Sequence, residues 1–309
     1  MRFSFRAGLP VAILFVTPIV SRADSVTVGC PGGSPGQFQS ITAALAQLDP
    51  RGPNTITVSG ACAENITISS FDRLSLIGQA GASVTDNSGG TAAVITVSDS
   101  QRISIQGFTI NGGISGIRCW DHSLCRFSGN TIQDSKGSGV VVAYSSANFS
   151  GDTIQNNPRG GVGISPASQV RMDGVTIRGN GSFAAVAAGS LSYLEIRDAT
   201  IQNNQGHGVL LEGNSTMNLR RSNISSNGGN GIEANGNSAV AVTDSTISLN
   251  GGYGVLVHNL SLALFGPGPN QIVTGNKASL DVACNPQFSV GRGTQTNIGG
   301  GRSNCTEPE

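Results

Sequence analysis

Charge is what this sequence has least of. Only 12% of its 309 residues are Asp, Glu, Lys or Arg, about half the share usual in globular proteins. Eighteen acidic and eighteen basic side chains cancel to a formal net charge of zero, so no global field draws the chain toward nucleic acid or an anionic membrane. Nucleic acid is therefore not an expected partner. Aromatics are scarce, with a single Trp and three Tyr. There is no Cys-x-x-Cys pair and no phosphate-cradling loop. The three histidines, His122, His207 and His258, lie far apart in sequence, and no metal signature stands out. No cofactor is expected; calcium stays open through Asp and backbone oxygens, but no cluster calls for it.

Long apolar runs are missing everywhere but the N-terminus. Arg2 and Arg6 precede an apolar stretch from Ala7 to Val20, and Ser21-Arg22-Ala23 offers a small-x-small cleavage site. Residues 1–23 read as an export signal, with a mature start at Asp24 and a secreted or periplasmic destination. Beyond that point no stretch approaches the roughly 20 residues needed to span a bilayer. Export fits the six cysteines, because an oxidising compartment favours disulfides. Six cysteines allow about 15 connectivities; the economical set joins Cys30 to Cys62, Cys119 to Cys125 and Cys284 to Cys305.

Glycine, at 44 copies, is abundant, as a chain with many tight turns requires. The turns follow a repeat. Thr109-Ile110, Thr131-Ile132, Thr153-Ile154, Thr176-Ile177, Thr200-Ile201, Asn223-Ile224 and Thr246-Ile247 recur with isoleucine spacings of 22, 22, 23, 24, 23 and 23 residues. A fixed period of this size means a solenoid. Each period holds three short alternating segments: the Thr-Ile-Gln segment, a Gly-Val-x-Val segment such as Val209 and Leu211, and a third such as Leu194 and Ile196. That leaves no room for a helix in each unit, so helical and leucine-rich repeats are excluded. The expected fold is all-β: a single-stranded right-handed parallel β-helix over residues 55–283, with a C-terminal tail at 284–309.

Asn157, Asn180, Asn204, Asn227 and Asn250 follow the isoleucines by three residues and are expected to stack as a ladder. Gly139, Gly161, Gly208, Gly231 and Gly254 follow in turn. Residues 24–54 read as an N-terminal cap. In it, Phe38, Ile41, Leu45 and Leu48 form one face of a short helix stopped by Pro50.

This arrangement resembles the pectin-lyase-like right-handed β-helix superfamily across roughly residues 55 to 280, and the helix leading to Cys62-Ala63-Glu64-Asn65-Ile66 is similar to the N-terminal region of its members. The resemblance implies carbohydrate, and acidic polysaccharide in particular, as the partner. Members that act as lyases or hydrolases need clustered carboxylates, and the outward positions here supply none. Beside the Gly-Val-x-Val strands the outward row reads Arg118, Val141, Gly163, Ala187, Leu210, Glu233 and Leu256. Glu233 stands alone in an apolar stripe that the tail or a second subunit is expected to cover. Gly206-His207-Gly208 resembles a polygalacturonase motif, but His207 occupies the turn slot of Ser138, Asn230 and Tyr253.

Trp120-Asp121-His122 resembles a pectate lyase motif without its spacer. Asp121 and His122 are the candidate acid–base pair and Trp120 a candidate stacking platform, although a disulfide-pinned surface turn accounts for the tripeptide better. The carbohydrate-binding candidates are Trp120 and a row of charges from successive coils: Arg171, Arg178, Glu195, Arg197, Arg220 and Arg221. In that row Arg171 and Arg178 are expected to point outward and the other arginines to lie at the adjoining corner, with Glu195 and Asp173 near enough to neutralise them. Three readings result: a β-helix that binds acidic polysaccharide without cleaving it, a lyase or hydrolase of the same glycans, and an adhesion module associating through the apolar stripe.

Overall fold

The computed structural model describes residues 23–266, 272–284 and 300–305; the export signal and most of the tail lie outside the described residues. The repeat forms a parallel β-solenoid of about ten turns, each passing through three short strands that stack on their counterparts one coil away. Sheet I has eleven strands, from Asp24–Gly29 to Leu262–Phe265. Sheets II and III have ten each, from Ala61–Ala63 to Ile272–Thr274 and from Ile66–Ser69 to Val282–Cys284. The repeat isoleucines pair in register along sheet II, from Ile110 to Ile247, and none exposes any surface. The interior is a continuous stack of Ile, Val and Leu with Phe108, Phe127 and Phe149 as its largest members. Phe127 and Phe149 pack with ring centroids 4.9 Å apart.

The cap differs from expectation in two ways. Asp24–Gly29 is a strand that pairs with Asn54–Ser59, so the cap supplies the first rung of sheet I. The helix covers only Ile41–Leu45, because Ser40 starts it by accepting the Ala43 N–H at 3.1 Å. Phe38 therefore falls outside the helix, where it bridges to Val28. Glu64 accepts the Ile41 and Thr42 N–H groups at 2.7 and 3.0 Å and so anchors the helix to the first coil. All three neighbour disulfides form: Cys30–Cys62, Cys119–Cys125 and Cys284–Cys305. Among the described residues no helix is long and apolar enough to cross a membrane.

At each corner the chain turns inward, and buried N–H groups there need partners. Side chains supply them. Between sheets II and III the expected asparagine ladder is present and longer than the repeat suggested: Asn157, Asn180, Asn204, Asn227, Asn250 and Asn276, all buried. Each N–H and each Nδ2 donates to the Oδ1 of the next asparagine, as in Asn180 to Asn204 at 3.0 Å for both. Nδ2 also reaches the isoleucine carbonyl of the coil before, as Asn204 does to Ile177 at 3.1 Å. The ladder ends on Asp281, which accepts from Asn276 and, through its other oxygen, from the Arg302 N–H at 3.0 Å. A carboxylate accepts without needing an acceptor in return, so it closes a chain of donors. The Cys284–Cys305 disulfide holds the segment that carries Arg302.

A second ladder occupies the corner between sheets III and I. Ser100, Ser123, Ser145, Ser168, Ser192, Ser215, Ser238 and Ser261 are buried, and from Ser123 on each hydroxyl accepts the N–H of the serine one coil earlier at 2.9 to 3.3 Å, or 3.4 Å at Ser192, while Ser100 accepts the Phe71 N–H at 3.1 Å. The third corner is mixed. Asn130 donates both its N–H and its Nδ2 to Asp152 at 2.9 Å; the next coil has Val175, which cannot accept, and the pattern resumes with Ser222 and Ser245. Again a carboxylate stands where a ladder stops. Tight stacking at the asparagine corner also explains the repeat glycines: a Cβ on Gly208 would lie 2.5 Å from both the Gly231 carbonyl oxygen and Ile224 Cγ2.

Asn204→Ala strands the buried Asn180 N–H, whose acceptor is Asn204 Oδ1, while Asn180 Nδ2 keeps the Ile154 and Arg178 carbonyls, and is expected to lower stability by about 1–3 kcal/mol; calorimetry showing a loss near that of an exposed Asn→Ala would contradict the ladder's role. Asp152 supplies a pH signature. Burial pushes its carboxyl up to about 6, against the lowering effect of the Asn130 and Ser150 donors. A raised folded pKa contributes stability below the unfolded value near 4 that is lost as pH rises through about 6. Wild type should therefore lose ground to Asp152→Asn between pH 4 and 6.5, by on the order of 3 kcal/mol. Parallel melting curves across that window would refute the assignment.

Candidate functional site

The solenoid turns the outward position of every strand into a row, and the rows sort the sequence candidates. On sheet I, Arg126, Asn148, Arg171, Glu195 and Asn218 form one row, with Ser150, Asp173, Arg197 and Arg220 in the next. Arg197 and Arg220 thus face outward from the same sheet as Arg171, not from a corner. Arg178 is the residue set apart: it lies in sheet II, in line with Gln155 and Gln202. Arg221 occupies the turn after sheet I and pairs with Asp198 at 2.7 Å, which holds that carboxyl below its usual range. Glu195 sits between Arg197, to which it is hydrogen-bonded, and Arg171 at 3.9 Å; Arg171 also meets Asp173 at 3.4 Å. The row is a charge-alternating lattice rather than an uninterrupted run of cations. Among the described residues Arg220 has no acidic partner.

Trp120 and the Asp121-His122 pair part company at a corner. Trp120 ends the sheet III strand Ile117–Trp120 and faces outward, with the Arg118 guanidinium 5.3 Å from its ring centroid. Asp121 and His122 both adopt left-handed backbone, at φ 53° and 62°, and are exposed in the turn above the Cys119–Cys125 disulfide, whose sulfurs point into the core. No hydrogen bond or ion pair joins their side chains among the described residues. The turn is disulfide-pinned, and the structure does not couple Asp121 to His122.

On sheet III the outward row runs in register: Arg118, Val141, Gly163, Ala187, Leu210, Glu233, Leu256 and Ala283. Val141, Leu210 and Leu256 are not among the exposed large hydrophobics, and Leu210 is only 6% exposed. The stripe is the floor of a trough, so it does not offer the open apolar face expected for self-association. The described tail residues do not cover it; they lie against the C-terminal coil, where Ser303 bridges to Val282. Gly163 and Ala187 deepen the trough into a groove of about 500 Å³. One ridge carries Ile114, Arg159 and Phe183, the other Ser165, Ser190 and Glu212. From Arg118 through Val141 and Gly163 to Ala187 the groove floor spans successive coils, about 14 Å at about 4.8 Å per step. Arg118 and Arg159 have no acidic partner among the described residues, and Phe183 stands 48% exposed above the floor. Arg159 and Phe183 were missed in the sequence because they lie in turns, outside the strand pattern.

Beyond the groove, Glu233 is not alone. Its Oε1 lies 3.0 Å from His258 Nε2, and its Oε2 lies 2.8 Å from Asn230 Nδ2 and 3.5 Å from His207 Nδ1. Three successive coils bring together two of the three histidines around one carboxylate. Among the described residues the one trio of His, Cys, Asp or Glu ligand atoms close enough together to share an ion is Cys30, Cys62 and Glu64, and there the sulfurs are bonded to each other and the carboxylate is committed to the cap helix.

Comparison with known proteins agrees with this architecture. The family model described as "Right handed beta helix region" matches residues 115–265. Similar solved structures include the pectate lyase Pel9A, with a TM-score of 0.61 and 14% identity over 85% of this chain and 79% of that one. An alginate lyase from Paenibacillus sp. str. FPU-7 gives 0.57 and 14% over 87% and 98%. The Azotobacter vinelandii mannuronan C-5 epimerase AlgE4 A-module gives 0.55 and 13% over 76% and 84%. No curated protein matches the sequence. The chain has the right-handed parallel β-helix fold.

Proposed function

We propose that this protein is an exported β-helix that binds a carboxylated polysaccharide along the sheet III groove without cleaving it. The observation that carries the reading is the pair Arg118 and Arg159, two guanidinium groups free of acidic partners among the described residues, set around a floor of small residues. A guanidinium fork matches a carboxylate. Phe183 and Trp120 offer apolar faces for the flat side of a sugar ring. The coil spacing of about 4.8 Å repeats along the groove, which suits a linear polymer better than a compact ligand. Structures of similar fold are named for pectate, alginate and mannuronan, which supports a glycan as the partner. The groove lining contains one carboxylate, Glu212, whereas hydrolysis of a glycosidic bond uses a pair. Export is supported by the three disulfides and by the signal read at residues 1–23.

The test is affinity electrophoresis of the mature protein through gels containing pectate or alginate. Arg118→Ala combined with Arg159→Ala should weaken retention at least about tenfold, the equivalent of about 1.4 kcal/mol, and retention by wild type should fall as salt rises. Arg171→Ala combined with Arg197→Ala should leave it unchanged, since those arginines are already engaged by Glu195 and Asp173. The reverse outcome would move the binding face to sheet I. New reducing ends or unsaturated products would overturn the non-cleaving reading.

A further inference from the structure

We infer, on the reading that the sheet III groove holds a carboxylated glycan, that Gly163 sets its specificity and that the pit left there takes an acetyl substituent of the glycan. Other glycines lining the groove have a local reason. A Cβ on Gly160 would lie 2.4 Å from the Ala184 carbonyl oxygen, and Gly213 has left-handed backbone at φ 60°. Gly163 has neither reason. Its backbone is not left-handed, and a Cβ there would meet nothing within 4 Å. It stands inside the strand Gly160–Ile164, where glycine weakens a strand and leaves room for something to approach closely. Val141 precedes it in the outward row and Ala187 follows, so it is the position of that run without a side chain. Gly189 repeats the pattern one coil on. Its N–H bonds the Ile164 carbonyl, in the slot that Ser165 and Glu212 fill in the adjoining coils, and its Cβ would meet nothing closer than 4.0 Å.

The missing side chains set the shape of the pit, and its walls set the chemistry. Val141 and Ala187 bound it along the floor, Phe183 rises on one flank, and Ser165, Ser190 and Glu212 form the other. The space absent at Gly163 is that of the isopropyl group that Val141 carries in the same row, and an acetyl group matches it in size and branching. The methyl of such a group rests on apolar floor atoms and leaves water. Its carbonyl oxygen needs a donor once enclosed. The Ser165 and Ser190 hydroxyls can donate, since neither makes a hydrogen bond within the protein among the described residues. An unsubstituted sugar hydroxyl would leave the pit part empty and lose those contacts. Glu212 repels a carboxylate at this coil and accepts from ring hydroxyls instead, so the glycan's carboxylates fall toward Arg118 and Arg159.

The experiment runs the mature protein through gels containing O-acetylated alginate or the same polymer after mild alkaline deacetylation. Wild type should bind the acetylated polymer at least about tenfold more tightly, the worth of a methyl-sized group in a matching pocket. Gly163→Val should abolish the preference by lowering retention on the acetylated polymer to that on the deacetylated one, and Gly163→Ala should fall between. Hyaluronan, whose acetyl is an amide, is the third arm. Binding tighter than to acetylated alginate assigns an N-acetyl group and weaker binding an O-acetyl group, and Gly163→Val should remove either. Valine favours strands and its Cβ meets no neighbour here, so Gly163→Val should melt no lower than wild type; a large drop would make the glycine structural and overturn the assignment. Equal binding of the two alginates by wild type, or a preference that survives Gly163→Val, would overturn the acetyl pit while the groove stands, as long as Arg118→Ala with Arg159→Ala weakens retention. Retention of none of these polymers would remove the groove reading and the pit with it.

Discussion

The corner amides are the constraint on which this fold depends. A β-helix closes its sheets around a narrow core, and each coil must bend inward three times. Every bend carries N–H groups out of reach of water, and leaving one unpaired costs about 1–3 kcal/mol. The chain satisfies them with side chains that stack coil on coil: serine between sheets III and I, asparagine between sheets II and III, and a mixture at the remaining corner. The bonds are directional. Each donor points to the next coil toward the C-terminus; the asparagine ladder ends on Asp281 and the Asn130 run on Asp152, whereas the serine ladder ends on the Ser261 hydroxyl. Asp281 illustrates the balance: burial raises its carboxyl, but the Arg302 and Asn276 donors outweigh that effect and hold it below the usual range.

The ladders also fix where function can reside. Because they lock the register, an outward residue in one coil stands directly beside its counterpart in the next, and surface chemistry is written as rows. Sheet I carries alternating charges that satisfy one another. Sheet III carries a floor of small and apolar residues between two turn ridges, with uncompensated arginines toward one end and a histidine-flanked glutamate toward the other. These are different chemistries on one scaffold, as expected where function is grafted onto a fold by surface substitution.

The legibility of this molecule followed the period. The isoleucine and asparagine positions recur at 22 to 24 residues in coil after coil, so the solenoid and one ladder could be read directly. The serine ladder has the same spacing, but serine is common in turns elsewhere in the chain and its repeat is camouflaged. The cap was only partly readable: Asp24–Gly29 lies ahead of the periodic region and becomes a strand because Asn54–Ser59 offers it an edge. The histidine–glutamate cluster was invisible for a geometric reason. His207 and Glu233 are 26 residues apart and Glu233 and His258 are 25, each one coil plus a few residues, so the contacts are diagonal across rows. Arg171 and Arg178 appeared as neighbours, yet a corner separates them.

Hydrogen–deuterium exchange on the wild-type protein at single-residue resolution addresses the central claim most directly. If buried ladders hold the coils together, the amides of Asn180, Asn204, Asn227, Ser192 and Ser215 should exchange as slowly as the core strand amides beside them, although they lie in turns. Exchange at those corners as fast as in the exposed Asp121-His122 turn would mean that the strands alone carry the stack and that the ladders are incidental to it.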